Sequence, residues 1–409
     1  MFSPALRRAT LVRMNRRNLL TTLAAGTLST TTFTNAQSTN DTLTRRVGKP
    51  KQPLQLDDFQ PKSMLHVPST VVERAKFPVV DVHTHWAFSD RHIDGPRIQY
   101  RATPEELLAV MDRCNIRTLF NVTGSFDKNF KDCYEKYDKK HPGRFYTMME
   151  PQWHRAEEPG YAKMQAEAVE REAKAGARGM KVLKTLGLFL RDKQGKLVKI
   201  DDPRFDPMWE ACAANNITVF MHVSDPEAFF LPTDRYNERF EELNNHPDWS
   251  FHGKDFPSHM ELMEARNRVL AKHPKTHFVL LHWGNNAENQ ELVGQWMDKY
   301  PNTSVEMGAR IGELGRSPRT TRKFMDKYQD RCIFGTDATP KGYNVPQQLF
   351  GEELYRIYFR FLETEDEYFD YAPAKVPPQG RWNIYGLGLP DNLLKKIYHG
   401  NIDRIMGIS

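Results

Sequence analysis

No uninterrupted apolar run in this 409-residue chain reaches the roughly 18 residues that a helix needs to cross a bilayer, so no membrane anchor is expected. Cysteine is scarce. Cys114, Cys133, Cys212 and Cys332 show none of the paired spacings of zinc fingers or redox motifs, and read as buried thiols. No glycine-rich phosphate loop follows an early strand, which argues against a nucleotide-binding open sheet. Positive charge is also confined. Five of the six net charges fall on Arg7, Arg8, Arg13, Arg16 and Arg17, within an acid-free stretch of residues 1–37. The near-neutral remainder carries no basic stripe, so nucleic acid is not an expected partner. What is present is a globular composition, 39% hydrophobic and 27% charged. The length suits one large α/β barrel or two ordinary domains.

The arginine-rich start has the form of a targeting segment. Asn15-Arg16-Arg17-Asn18-Leu19-Leu20 precedes a mildly apolar stretch ending near Thr34-Asn35-Ala36. This is the pattern of a twin-arginine export signal with a small-residue cleavage site, and it predicts a periplasmic or extracellular protein. Either Met1 or Met14 serves as the start. That route carries folded proteins with their metal already inserted. Residues 38–75, interrupted by Pro50, Pro53, Pro61 and Pro68, read as a linker and an arm along the main domain.

From residue 76 a rhythm sets in. Eight short apolar runs begin near Val79, Arg117, Arg144, Ala177, Ile217, His277, Thr303 and Cys332, mostly 25–40 residues apart. Helical segments lie between them, two opened by Thr103-Pro104-Glu105-Glu106 and Ser258-His259-Met260-Glu261, each a capping-box pattern. Strands alternating with helices in this way predict a (β/α)₈ TIM barrel over residues 76–409, with long insertions after strands five and eight. A doubly wound sheet is the rival.

Barrel enzymes carry their chemistry at the carboxyl ends of the strands. Here those ends hold His83 and His85 in Asp81-Val82-His83-Thr84-His85, then Asn121, Thr123, Glu150, Lys181, His222, His282, Glu306 and Asp337. Alternation along a strand directs His83 and His85 to one face. One histidine after an apolar run is ordinarily a hydrogen-bonded core residue. Four of the chain's 14 histidines at one mouth, with an aspartate, point to a metal.

The order His-Thr-His, His222, His282 and Gly335-Thr336-Asp337 resembles the amidohydrolase superfamily. More narrowly it resembles the amidohydrolase-related branch of aminocarboxymuconate-semialdehyde decarboxylase and kindred hydrolases. The closing Tyr398-His399-Gly400-Asn401-Ile402-Asp403-Arg404 is similar to that branch too. The resemblance implies that His83, His85, His222 and Asp337 bind one divalent metal, most often Zn²⁺, with Mn²⁺ or Fe²⁺ as alternatives. His282 would be a catalytic histidine, and Asp337 would also move the proton of a metal-activated water. Such a site leaves a position open for that water. Lys181 or Lys184 would matter as a carbamylated bridge only in a two-metal variant, and one metal is favoured.

Glu306 and Arg310 are candidate substrate contacts together with Lys181. Aromatic residues fill the insertions at 225–257 and 341–385, among them Phe229, Trp249, Phe251, Tyr343, Tyr355, Tyr358 and Phe359. They suit a lid over a small-molecule substrate or a contact in a homo-oligomer, although the helical spacing of Glu352–Glu363 suits a core helix as well. The expected reaction is hydrolysis of an ester, lactone or amide bond in a small cyclic or carboxylated compound. The alternative on the same ligand pattern is nonoxidative decarboxylation of an aromatic or muconate-type acid. A non-catalytic ligand-binding barrel ranks last.

Overall fold

The computed structural model describes residues 53–89, 98–342 and 345–408. The export-signal reading of 1–37, residues 38–52 of the linker and Tyr343 lie outside them. Residues 53–62 belong to a separate unit with one 3₁₀ turn at Leu56–Asp58. The unit Ser63–Ser409 holds everything below.

Eight parallel strands are laid down where the apolar runs predict them. They are β1 (Val79–Thr84), β2 (Ile116–Asn121), β3 (Phe145–Thr147), β4 (Gly179–Val182), β5 (Thr218–Met221), β6 (Phe278–Leu280), β7 (Thr303–Glu306) and β8 (Cys332–Ile333). Each pairs with its neighbour in chain order: β1-β2-β3 form one run and β4 through β8 another. Two parallel bridges, Met149 with Met180 and Thr84 with Ala338, join the runs into the (β/α)₈ barrel. The regular strands are shorter than the apolar runs because their carboxyl ends leave the ladder to present side chains at the mouth.

Helices α1 (Pro104–Cys114), α2 (Asp127–Lys136), α3 (Tyr161–Lys174), α4 (Asp206–Ala214), α5 (His259–Lys272), α6 (Gln290–Lys299) and α7 (Pro318–Lys327) fill the crossovers. Both capping boxes form: Thr103 Oγ1 accepts from Glu106 N at 3.2 Å, and Ser258 Oγ from Glu261 N at 3.3 Å. Each fixes the start of a helix to within a residue and stabilises it by about 1 kcal/mol. An inner cluster takes Val80 and Val82 from β1, Phe120 from β2, Phe220 from β5, Val279 from β6 and Ile333 from β8, together with Ile402 and Ile408. A second apolar layer packs the helices onto the strands. All four cysteines are buried free thiols.

Of the insertion after β8, Gln347, Gln348 and Gln379 line the mouth, but its helix is core instead of lid. That helix, α8 (Glu352–Glu363), buries Tyr355, Tyr358 and Phe359 completely, and they line neither a substrate cleft nor an exposed face. The reason is their spacing: one apolar face three to four residues apart packs onto the barrel as a core helix does. The Tyr355 hydroxyl donates to Asp81 Oδ2 at 2.8 Å and that of Tyr358 to the Thr336 carbonyl at 3.1 Å. The two insertions are also tied together. Arg381 pairs with Glu241 at 2.7 Å, Gln347 donates to Glu242 at 3.3 Å, and buried Arg239 pairs with Glu242 at 2.7 Å and with Glu313. These contacts make a fixed roof over the mouth.

Candidate metal centre and cleft

Asp81 lies one layer below the histidines, wholly buried. It accepts from the His83 and Thr336 backbone N–H groups, both at 3.1 Å, and from the Thr336 hydroxyl at 2.6 Å. It therefore joins the ends of β1 and β8. Burial pushes its pKa up to about 6 despite those donors. Just above it the β1 register is irregular between Asp81 and Thr84, and His85 lies beyond the strand. Both imidazoles turn toward the same carboxylate, as alternation predicts, with ring centres 5.3 Å apart.

The carboxylate is Asp337, held in a left-handed conformation at φ 63°. Its Oδ1 is 3.0 Å from His83 Nε2 and 2.9 Å from His85 Nε2. Its Oδ2 accepts from Gln348, a residue of the post-β8 insertion. His282 also has a left-handed backbone (φ 53°), and its ring lies 4.9 Å from that of His83 and 4.2 Å from that of His222. Among the described residues, His83, His282 and Asp337 place ligand atoms within 4.8 Å of one another.

The partners of the three Nδ1 atoms determine what the Nε2 atoms offer. His83 Nδ1 faces the Glu306 carboxylate at 3.1 Å. His85 Nδ1 faces the Thr123 hydroxyl at 3.0 Å, whose own proton goes to the Ala87 carbonyl at 2.6 Å. His282 Nδ1 faces the Gly308 carbonyl at 2.8 Å. Each partner accepts, so each Nδ1 carries the hydrogen and each neutral ring presents a bare Nε2 lone pair. Lone pairs of His83 and His85 thus meet a carboxylate oxygen at hydrogen-bond distance, acceptor against acceptor. Such a cluster needs a cation. The Lys181 Nζ, 3.0 Å from His83 Nε2, approaches the same point. Among the described residues, the buried Nε2 of His282 has no hydrogen-bond partner, and that of His222 has only the Asp225 carboxylate at 3.5 Å. This donor set fits a divalent metal.

Electrostatics agree for three of the four rings, His83 being the exception. Burial pulls His85 down to about 3 and His222 down to about 4, in part offset by Asp337 and Asp225 respectively. Burial, with the charge of His222, holds His282 well below the usual imidazole value. For His83, burial and Lys181 act downward, but Asp337 and Glu306 outweigh them and raise it. Asp337 stays well below the ordinary carboxylate range: burial opposes that, but His83, His282 and His85 outweigh it.

A pH dependence follows. With folded values near 3 and 4, His85 and His222 remain neutral where the unfolded chain takes up protons below about 6.5. Metal-free stability is therefore fully present above pH 6.5 and is lost progressively as pH falls toward 4. Urea titrations of the metal-free protein across that window are expected to show this slope, and His222→Asn to reduce it by about one proton.

The mouth opens into a cleft of about 360 Å³. His85, His222, His282 and Asp337 form its floor, and Phe88, Phe229, Trp249 and Phe251 line its walls. The first insertion thus supplies the aromatic wall that the sequence suggested. Arg310 lines the cleft as well, nearly buried; its Nη1 donates to the Ala309 carbonyl at 2.8 Å, and it has no ion-pair partner among the described residues. By contrast, Lys184 is committed to Asp225, and Arg239 to Glu242 and Glu313. Lys181 reaches the histidine cluster itself.

Glu306 is a correction. It is fully buried and lines no part of the cleft, so it is not a substrate contact. Its side chain runs behind His83, where it meets donors instead of solvent. Thr123 and Gln348 went unassigned in the sequence. Thr123 at least stands after a strand, whereas nothing around Gln348 marks it as a partner of Asp337.

A parallel barrel with converging imidazoles and a carboxylate at its carboxyl-end mouth defines a class: the metal-binding (β/α)₈ enzymes. Within that class the chain belongs to the amidohydrolase family, whose sequence model, described as Amidohydrolase, matches residues 80–408. Several solved structures are similar. A 2,6-dihydroxybenzoate decarboxylase complexed with 2,6-dihydroxybenzoate is 15% identical, covering 81% of this chain and 100% of that one, with a TM-score of 0.49. A 5-carboxyvanillate decarboxylase from Sphingomonas paucimobilis is 14% identical, covering 82% and 100%, with a TM-score of 0.48. A probable 2-pyrone-4,6-dicarboxylic acid hydrolase from Acinetobacter baumannii is 11% identical, covering 81% and 100%, with a TM-score of 0.47. No curated protein sequence matches.

Proposed function

We propose that this enzyme is a metal-dependent hydrolase of an ester, lactone or amide bond in a small cyclic, carboxylated compound. His83, His85, His222 and Asp337 would hold one divalent metal, most simply Zn²⁺. A metal bound there supplies Lewis acidity and a water of lowered pKa. The observation that carries hydrolysis is the state of His282. Its Nδ1 hydrogen is spent on the Gly308 carbonyl, and its pKa is pushed well down. At neutral pH its Nε2 is a bare acceptor with no proton to donate, so it orients a water as a hydrogen-bond acceptor instead of polarising a carbonyl by donation. Asp337 receives or returns a proton beside it. Protonation of a ring carbon, which decarboxylation requires, calls for a donor at that place.

The aromatic walls fit a planar or cyclic body, and the guanidinium of Arg310 is the cleft cation available to a substrate carboxylate. Losing a charged hydrogen bond costs roughly 1.5–3 kcal/mol, so Arg310→Met is expected to raise KM about 10–100-fold with little change in kcat. Steady-state kinetics on a carboxylated substrate and its methyl ester check this: the ester's KM should not respond.

Metal analysis of the purified chain, followed by product analysis on lactones, amides and aromatic acids, tests the whole reading. Less than about 0.1 equivalent of transition metal, with no gain on adding Zn²⁺ or Mn²⁺, would overturn it. Release of CO₂ from an aromatic acid would establish the carboxy-lyase alternative. Export by the twin-arginine route belongs to the same proposal. Replacing Arg16 and Arg17 by lysine should trap the protein in the cytoplasm, as cell fractionation would reveal.

A further inference from the structure

The carboxylate that sequence reasoning assigned to substrate has a different environment from every other acid near the mouth. Glu306 Oε2 faces the His83 Nδ1–H at 3.1 Å and accepts from the His282 backbone N–H at 3.2 Å. Its Oε1 accepts from the Gly308 backbone N–H. The space around it is shaped to its outline. A Cβ at Gly335 would sit 2.1 Å from Oε1, and one at Gly308 2.5 Å from it and 3.1 Å from His83 Nδ1. Two glycines on neighbouring strand ends thus leave room for one carboxyl group. A buried carboxylate is costly unless its oxygens are fully bonded and its charge is matched nearby.

We propose that Glu306 is a positioning residue that sets the coordinating state of both His83 and His282; the inference rests on the metal reading of the site. Ionised, a carboxylate only accepts, so it demands a hydrogen on His83 Nδ1 and leaves Nε2 bare toward Asp337. The same group holds the left-handed turn at His282 through that residue's N–H. It also holds Gly308 through its N–H, and the Gly308 carbonyl in turn takes the His282 Nδ1 hydrogen. One side chain at the end of β7 therefore aims two lone pairs at the same point. Its negative charge, pushed through the imidazole, makes His83 a stronger donor to a cation.

Glu306→Gln is a sharp test because both carboxylate oxygens face donors. Whichever way the amide is placed, its NH₂ meets an N–H. In the full chain loaded with Zn²⁺, competition with a chromogenic chelator is expected to show a 10–100-fold loss of affinity. Glu306→Asp, which keeps the charge without the reach, should recover part of it. In the unsubstituted Zn²⁺-loaded protein, ¹⁵N-histidine NMR should show His83 protonated at Nδ1 and bound through Nε2; this measurement decides the matter even if the variants fail to fold. Coordination of His83 through Nδ1 overturns the inference. So does a Glu306→Gln protein that holds Zn²⁺ within about threefold of the parent, and in either case the metal reading stands. A parent chain that binds no Zn²⁺ removes both.

Discussion

Asp337→Asn is expected to lower turnover by about 10³-fold or more while leaving the fold intact, an effect in the range for loss of a positioned acid–base group. The argument is geometric. Asp337 Oδ1 stands against the bare Nε2 lone pairs of His83 and His85 at 3.0 and 2.9 Å, an arrangement that is favourable with a cation between them. Asparagine removes the charge that retains the cation and the base that moves a proton. Its NH₂ can, however, donate to those lone pairs. The Asp337→Asn protein should therefore keep its fold while its Zn²⁺ content falls. Calorimetry with metal analysis on both proteins checks this. A metal-free variant melting well below the parent would show that Asp337 is structural first, contrary to the site as described.

The second large effect is expected at His282. His282→Ala should cost about 10²–10⁴-fold in kcat and retain most of the bound metal, since His83, His85, His222 and Asp337 remain. His222→Ala should instead lose most of the metal. Running the two side by side matters because their rings are only 4.2 Å apart. If His282→Ala empties the site and His222→Ala does not, the two residues exchange roles. The tight grouping of His282 with His83 and Asp337 makes that exchange the sharpest rival to the present assignment. If both variants remain active, the site lies elsewhere.

Much of this was readable without coordinates. The eight apolar runs became eight parallel strands because buried parallel strands need continuous apolar sequence, and helix starts at Thr103 and Ser258 are local hydrogen-bond chemistry. Cys114, Cys133, Cys212 and Cys332 proved to be buried free thiols, as their spacing suggested. The aromatic insertion after β8 was less legible. A stripe of Tyr355, Tyr358 and Phe359 reads alike whether it faces substrate or a barrel wall, since periodicity reports that a face is apolar and not what covers it.

The same division runs through the mouth of the barrel. By itself the sequence determined which side chains arrive there, since a strand's carboxyl end is a position along the chain: His83, His85, Lys181, His222, His282, Glu306, Arg310 and Asp337 are all found at or just behind it. It could not decide what each one meets. That Glu306 lies behind His83, that Arg310 has no ion-pair partner among the described residues while Lys184 and Arg239 do, and that Gln348 holds Asp337 are facts about residues far apart in the chain. A hydrogen bond depends on tenths of an ångström and on which face a ring turns, and closure of the barrel alone supplies both.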